Sequence, residues 1–349
     1  MRVRFAAASL LLTLLLSACA RNAPVDPAVF APPSAQPSAP TQPDHVTLPQ
    51  DDAPHDDLTE WWYYTGHLDA AGGKTYGFEL VIFQAVRGGD PPAYAAHFAV
   101  TDNARDDFHF QQRSETGKQV HAGPGLNLDL SGWTLIGGNG HDHLKADMPD
   151  YAIDLDLSSL KPPVLHDGKG LISFGPAGDS YYYSRTRMAV SGSLSDHGQD
   201  VPVSGVAWMD HQWGNFISGG GGWDWFSIQL DDNSEYMLFF LRDADGKPTL
   251  PYGSYVAPDG TATILPPSTF TEQATSSWQS PASGVTYPSG WQVAAGESTL
   301  TLTPTVKDQE LRTGQTTGIN YWEGDSTVSG TKAGQPISGR AYVELVGYR

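Results

Sequence analysis

A segment near the middle of the chain places an imidazole beside an indole ring. Ala207–Trp213 reads Ala-Trp-Met-Asp-His-Gln-Trp. Side chains alternate along a β-strand, so His211 and Trp213 would share one face and Asp210 would lie on the other. Apolar surroundings readily shift the charge state of a histidine. Two interpretations of His211 follow: a group that handles a proton or touches a ligand beside an aromatic wall, and a buried histidine bonded to a backbone group.

Aromatic and acidic side chains near the start of the globular part are further candidates for a site. Four consecutive aromatic residues, Trp61 to Tyr64, put two rings on each face of a strand. Core packing accounts for at least two of them, and the others can face a ligand, so Trp61 and Trp62 are candidate ligand contacts. Glu79 shares a face with Val81. Its carboxylate lies either outside the sheet or in a pocket that raises its pKa.

Several classes of function lack support in the sequence. We find no G-x-S-x-G elbow, no H-E-x-x-H pair and no P-loop. His141–His143 follows a glycine-rich stretch and is interpreted as a solvated turn rather than a metal site. We therefore expect no cofactor and no metal. The formal net charge of −19 argues against nucleic acid as a partner.

The elements that carry these candidates are predicted to be β-strands. From His55 onward, apolar and polar residues alternate in short runs bounded by turn residues, and no long stretch has helical periodicity. Trp61–Leu68 and Thr75–Val86 flank two glycines and read as a hairpin. Leu126–Ile136 reads as a single strand. The pattern predicts an all-β chain of meandering antiparallel sheets, closed into barrels or packed as sandwiches.

An internal repeat divides the globular part into two domains. Pro202–Asp210 resembles Pro336–Glu344, each preceded by a Val-Ser-Gly triplet, and Tyr183 and Tyr321 stand at the same distance before the two copies. We predict two domains of one architecture, 55–214 and 215–349, with the boundary at 214–222. After the shared hairpin the first copy has His and Trp where the second has Leu and Gly, so His211 and Trp213 are extra to the common fold and become candidates for function.

The start of the chain resembles a lipoprotein signal. A basic start is followed by the apolar run Phe5–Leu16, which has the length of a signal-peptide core. Leu16–Cys19 reads Leu-Ser-Ala-Cys, like a lipobox, and Cys19 is the single cysteine of the chain. We predict a signal peptide over 1–18, lipid on Cys19, and a Pro-rich linker over 19–54 that forms an extended tether.

Several motifs, in order from about residue 55 to the end, resemble the AttH-like family, which is related to the carotenoid 1,2-hydratases. They are Glu60–Tyr63, Ala96–Ala99, Tyr182–Arg185, Trp208–Gly214, Gly222–Trp225 and Tyr321–Gly324. The resemblance implies two tandem lipocalin-like β-barrels, a large apolar ligand and neighbourhood with an FtsX-type ABC exporter.

The resemblance also suggests site residues. The hydratases protonate a carbon–carbon double bond and add water, using an aspartate with nearby His, Trp and Tyr. His211 and Trp213 can stand for that His and Trp, and Tyr236 for the Tyr. No residue matches the aspartate, and Asp210 is the acid that we consider in its place. The expected ligand contacts are Trp61, Trp62, Glu79, Trp223 and Trp225.

Two functions follow from the sequence. The first is an envelope lipoprotein, anchored through Cys19 on the periplasmic face of the outer membrane, that binds a lipid or another large apolar molecule, with an ABC transporter as a partner. The alternative is a hydratase, isomerase or hydrolase that acts on an isoprenoid-like or lipid-like substrate, with His211 as acid or base and aromatic faces that stabilise a cationic intermediate.

Overall fold

The computed structural model describes residues 25–31, 44–117, 125–174, 178–216 and 221–349. The predicted signal peptide, Cys19 and most of the linker lie outside the described residues. Within them the chain forms strands and short 3-10 turns and no α-helix. No described helix has the length and apolar character needed to cross a membrane. The 3-10 turns are Pro27–Val29, Gln50–Asp52, Ala71–Gly73, His166–Gly168 and Pro267–Thr269.

The first domain is one antiparallel sheet of twelve strands, in the order β4-β3-β2-β1-β12-β11-β8-β7-β6-β5, with β9 and β10 beside β11. An Arg113 guanidinium nitrogen on β4 donates 2.6 Å to the Ser131 carbonyl after β5, so the two edges nearly meet and the sheet nearly closes into a barrel. The strands are β1 (Thr59–Ala70), β2 (Thr75–Ala85), β3 (Ala93–Asp102), β4 (Asp107–Thr116), β5 (Leu126–Leu130), β6 (Trp133–Gly138), β7 (His141–Asp147), β8 (Tyr151–Ser159), β9 (Val164–Leu165), β10 (Leu171–Ser173), β11 (Asp179–Asp196) and β12 (Gln199–Gly214).

The second domain repeats this order in a ten-stranded sheet, β16-β15-β14-β13-β24-β23-β21-β20-β17, with β22 beside β23 and a separate β18–β19 hairpin. The predicted all-β fold of two tandem antiparallel barrels is confirmed. The strands are β13 (Trp223–Leu230), β14 (Glu235–Arg242), β15 (Pro248–Val256), β16 (Ala262–Ile264), β17 (Phe270–Ala274), β18 (Ser277–Gln279), β19 (Thr286–Pro288), β20 (Trp291–Ala295), β21 (Ser298–Pro304), β22 (Glu310–Arg312), β23 (Asn320–Lys332) and β24 (Gln335–Val346).

Several details differ from the sequence prediction. His141–His143, predicted as a turn, begins strand β7. The predicted strand Leu126–Ile136 is interrupted, because Ser131 and Gly132 adopt positive φ angles of 52° and 93° and turn the chain between β5 and β6. The end of the predicted tether packs onto the first domain. Val46 is buried in its core, and Asp52 is buried against Arg185, whose guanidinium donates 3.1 Å to it.

A bulge changes how the two copies of the repeat correspond. The pairing of β11 with β12 shifts between Arg185 and Met188. Tyr182 therefore lies opposite Gln212, as Tyr321 lies opposite Val346 at the matching place in the second copy. The structural counterpart of Tyr321 is thus Tyr182, although Tyr183 stands at the matching sequence distance.

Each sheet buries one face in its own domain and turns the other toward the neighbouring domain. Alternation along β1 sends Trp62 and Tyr64 into the core of the first domain and leaves Tyr63 on the opposite face. Tyr63 belongs to a third apolar cluster that includes Trp225 and Phe239 of the second domain. The two domains therefore pack outer face against outer face, with aromatic side chains between them.

Candidate functional site

A cavity of about 440 Å³ lies between the two domains. The first domain supplies residues from β1, β2, β11 and β12, and the second supplies residues from β13, β14, β15 and β24. Most of the lining is aromatic or aliphatic, and three carboxyl groups face the same space. The lining includes Trp61, Tyr63, Glu79, Tyr182, Asp210, Trp223, Trp225 and Glu344.

Strand register explains how distant residues meet here. Tyr63 on β1 pairs with Val81 on β2 and with Asp210 on β12, so the three side chains form one row on the outer face of the first sheet. In the second sheet Trp225 on β13 pairs with Glu344 on β24. Asp210 and Glu344 occupy the same position of the internal repeat, so the duplicated hairpin delivers one acid from each domain to the cavity.

Glu79 is a buried carboxyl group held by one oxygen. The Tyr321 hydroxyl lies 2.8 Å from Glu79 Oε1, across the domain interface. Glu79 Oε2 is buried and has no hydrogen-bond partner among the described residues. Burial raises the pKa of Glu79 well above its ordinary range, and nearby Glu344 adds to the increase. Both effects favour the neutral form of this carboxyl group. Of the two locations that the sequence allows for Glu79, the structure shows the pocket.

A second tyrosine–glutamate pair mirrors the first. The Tyr63 hydroxyl of the first domain donates 2.7 Å to Glu323 Oε1 of the second. Burial and the neighbouring Glu79 raise the pKa of Glu323 well above its ordinary range. Glu323 is not among the site residues predicted from the sequence. Glu323 pairs with Glu344 between β23 and β24. An acid within the Tyr321–Gly324 motif is the sequence feature that could have indicated it as a site residue.

Burial raises the pKa values of the other two cavity acids, Glu344 and Asp210, as well. Burial raises the pKa of Glu344 to about 7. A 2.8 Å hydrogen bond from Trp223 Nε1 lowers this pKa, and the charge of Asp210 raises it. Burial also raises the pKa of Asp210 to about 6, against hydrogen bonds from Ser184, Tyr182 and Trp208. Carboxyl groups that share a cavity but titrate apart can divide the roles of acid and base.

His211 lies on the other side of the same strand, inside the first domain. Its Nε2 is 2.8 Å from Glu60 Oε1, and Trp62 and Trp213 pack around its ring. Burial lowers the pKa of His211, so the imidazole is neutral. The predicted alternation of this strand is correct, and it separates His211 and Trp213 from Asp210 and the cavity.

Glu60 also connects His211 to a second histidine. His55 Nδ1 lies 2.8 Å from Glu60 Oε1, and the His55 ring stacks on Trp213 with centroids 4.1 Å apart. Burial opposes charging of His55, but hydrogen bonds to Asp51 and Glu60 outweigh it and raise the pKa of His55 to about 9. Among the described residues His55, Glu60 and His211 could hold one metal ion, since their donor atoms lie within 4.8 Å of one another. The 2.8 Å spacings also suit a glutamate that accepts hydrogen bonds from two imidazoles.

The structure brings together five of the predicted site residues and separates four. Trp61, Glu79, Asp210, Trp223 and Trp225 all line the interdomain cavity. Trp62, His211 and Trp213 are buried inside the first domain. Tyr236 lies in the core of the second domain, where its hydroxyl is 2.9 Å from Ser298 Oγ, so it does not join His211 in one site.

Comparisons with known proteins agree with this architecture. The crystal structure of a putative AttH from Nitrosomonas europaea superposes with a TM-score of 0.80 at 30% identity, covering 90% of this chain and all of that one. Kievitone hydratase from Fusarium solani subsp. phaseoli is 23% identical over 300 residues, which cover 82% of this chain and 81% of that protein. The crystal structure of kievitone hydratase from Nectria haematococca has a TM-score of 0.71 at 18% identity, covering 91% and 98% of the two chains. The model of the AttH-like family matches residues 39–348. This chain belongs to the AttH-like family.

Proposed function

We propose that this protein is a hydratase-like enzyme that adds water to a carbon–carbon double bond of an apolar small molecule bound between its domains. The observation that carries the proposal is Glu79: a buried carboxyl group in the lining of an aromatic cavity, with one oxygen that has no hydrogen-bond partner among the described residues. Burial raises the pKa of this group well above its ordinary range and so favours the neutral acid. A neutral acid can protonate an alkene only where water does not take its proton first, and apolar walls provide that condition.

The cavity contains the groups that such a reaction needs. Glu79 transfers its proton to one alkene carbon, which leaves a carbocation at the other. The faces of Trp61 and Trp225 stabilise the positive charge. Water attacks the cation, and Glu344, with a pKa of about 7, accepts the proton that the water loses. Glu79 ends as a carboxylate and Glu344 as an acid, so a proton must return to Glu79 before the next turnover.

The chemical class of the substrate follows from size and lining. A volume of about 440 Å³ fits a small molecule rather than a polymer. The lining contains several aromatic rings, and its one guanidinium, that of Arg242, is paired with Asp224, so the site favours an uncharged, unsaturated compound. The name of the relative kievitone hydratase states a hydration, which is the reaction class proposed for this chain.

A mass-spectrometric screen tests the proposal. The protein is incubated in deuterium oxide with a panel of unsaturated apolar compounds, kievitone included, and products are examined for the gain of one water and one carbon-bound deuterium. We expect this gain with the wild-type protein and its loss in Glu79→Gln, which keeps the shape of the side chain. His211→Gln is the comparison variant. Product formation that persists in Glu79→Gln but disappears in His211→Gln would assign the acid to the first barrel and overturn the proposal.

Binding without catalysis is the second candidate function, and the aromatic cavity favours it as well. A ligand that co-purifies with the protein, together with no chemical change in any compound of the panel, would support binding alone.

We further propose, from the lipobox-like Leu16–Cys19, that the chain is exported, lipid-anchored at Cys19 and held at the periplasmic face of the outer membrane, near an FtsX-type ABC exporter. Metabolic labelling with a fatty-acid probe, compared between wild type and Cys19→Ala, tests the anchor.

A further inference from the structure

A chain of hydrogen bonds runs from Glu79 to the edge of the domain interface. The Tyr321 hydroxyl is 2.8 Å from Glu79 Oε1 and 2.7 Å from His97 Nδ1. His97 Nε2 is 2.9 Å from the Thr316 hydroxyl, which donates 2.9 Å to Gln112 Oε1. The first four side chains are buried and Gln112 is half-buried. These hydrogen bonds therefore link Glu79 to a point near solvent at Gln112. The path alternates between the domains, through Tyr321 and Thr316 of the second and His97 of the first.

The number of available protons gives the chain a direction. Gln112 Nε2 donates 3.0 Å to the Arg312 carbonyl, so Gln112 presents its oxygen, an acceptor, to Thr316. The Thr316 hydroxyl donates its single proton to that oxygen. It must therefore accept a hydrogen bond from His97 Nε2–H. A neutral imidazole then has an unprotonated Nδ1, which accepts from the Tyr321 hydroxyl.

The last link admits two states of Glu79. If Tyr321 donates its proton to His97, it must accept from a protonated Glu79, whereas an ionised Glu79 accepts from Tyr321 and His97 then holds its proton on Nδ1. The hydrogen bond from Thr316 to Gln112 favours the first state, in which Glu79 is protonated. Burial also lowers the pKa of His97 to about 3, which keeps its ring neutral and able to accept on one nitrogen while it donates from the other.

We infer that Tyr321, His97 and Thr316 form a proton relay that reloads Glu79 from the Gln112 edge of the interface. The inference rests on the proposed function, which leaves Glu79 ionised after each turnover. In the ionised state Glu79 accepts from Tyr321, Tyr321 accepts from His97 Nδ1–H, and His97 Nε2 accepts from Thr316. One proton then enters at Thr316, whose own proton moves to His97 Nε2. The proton on Nδ1 moves to Tyr321, and the Tyr321 proton moves to Glu79 Oε1, which leaves His97 protonated on Nε2 beside a protonated Glu79. Each group gains one proton and passes one on, so no charge stays on the ring.

The exchange of the Glu79 proton with solvent tests the relay without a substrate. The protein is mixed rapidly into deuterium oxide, and infrared absorption follows the carboxylic C=O band of Glu79 as it shifts on deuteration. We expect exchange to be slower by about tenfold or more in Tyr321→Phe, because proton transfer through a positioned group contributes at least that factor. Thr316→Val cuts the chain farther from Glu79 and is expected to slow exchange as well.

The matched control is Tyr63→Phe, which removes the reciprocal bond to Glu323 but leaves the chain intact. Its exchange should equal that of the wild type. Equal exchange rates in wild type, Tyr321→Phe and Thr316→Val, with the band retained, would overturn the relay alone. Absence of the band in the wild type would instead remove the neutral acid and the proposed function with it. Slowed exchange in a protein that hydrates no compound of the panel would support the relay and count against the proposed reaction.

Discussion

Replacing Glu344 by glutamine should make the protein more stable at alkaline pH. Burial raises the pKa of Glu344 from 4.5 to about 7. The folded protein therefore holds a proton that the unfolded chain releases. Its contribution to stability is complete below about pH 4.5 and is lost as the pH rises through about 7. A glutamine side chain cannot ionise, so Glu344→Gln removes this loss while an amide oxygen remains available to Trp223 Nε1.

The size of the effect follows from the two pKa values. A difference of about 2.5 in pKa corresponds to about 3 kcal/mol, at about 1.4 kcal/mol for each pKa unit. Between about pH 5 and pH 8 the free energy of unfolding of the wild type should fall, relative to that of Glu344→Gln, by about 2 to 3 kcal/mol. Glu344 also raises the pKa values of Glu79 and Glu323, so the difference reports Glu344 together with its effect on these two neighbours.

Urea unfolding at the two pH values, followed by tryptophan fluorescence, measures this difference. Glu297→Gln changes an exposed glutamate on the second domain and is the control, with no expected change in the pH dependence. Parallel pH dependences in the wild type and Glu344→Gln would show that Glu344 ionises as easily in the folded protein as in the unfolded chain. The assignment of Glu344 as a base that titrates near neutral pH would then be wrong.

Three further predictions concern activity and packing. Hydration activity should rise with pH through about 7, as Glu344 ionises, and fall at higher pH when Glu79 loses its proton, and a pH–rate profile measures both limbs. Arg185→Met should lower the free energy of unfolding by about 3 kcal/mol, because it removes the cationic partner of the buried Asp52. The double variant Arg185→Met/Asp52→Asn should regain most of this stability, and urea unfolding measures both. Gly66→Ala should destabilise the first domain by about 1 to 3 kcal/mol in urea unfolding, because its methyl group would lie 2.9 Å from the Val206 carbonyl oxygen.

The strands and the repeat could be predicted because they are local. Side-chain alternation is visible in any run such as Trp61–Leu68, and the two copies of the hairpin share residues at fixed distances. The bulge in β11 could not be predicted, since the shift between Arg185 and Met188 depends on pairing with β12 and on nothing distinctive in the segment. This shift makes Tyr182, rather than Tyr183, the neighbour of the cavity.

The site was harder to predict because it forms between domains. Alternation correctly separated His211 from Asp210, but it could not say which face borders a cavity. The comparison of repeats favoured the residues that differ, His211 and Trp213, whereas the acids that the copies share, Asp210 and Glu344, reach the cavity. His97 and Tyr321 lie 224 residues apart in sequence, and only the packing of one sheet on the other brings them into contact.

The protonation state of Glu79 is the central physical claim, and an infrared difference spectrum measures it directly. Wild type minus Glu79→Gln at neutral pH should show the C=O band of a protonated carboxylic acid, because burial raises the pKa of Glu79 well above its ordinary range and the Thr316–Gln112 hydrogen bond favours the state in which Glu79 holds a proton. Glu323→Gln serves as the control, since it removes the reciprocal acid and leaves Glu79 in place. A carboxylate band in place of the acid band would show that Glu79 is ionised at rest, and it would contradict both the acid role and the proposed hydration.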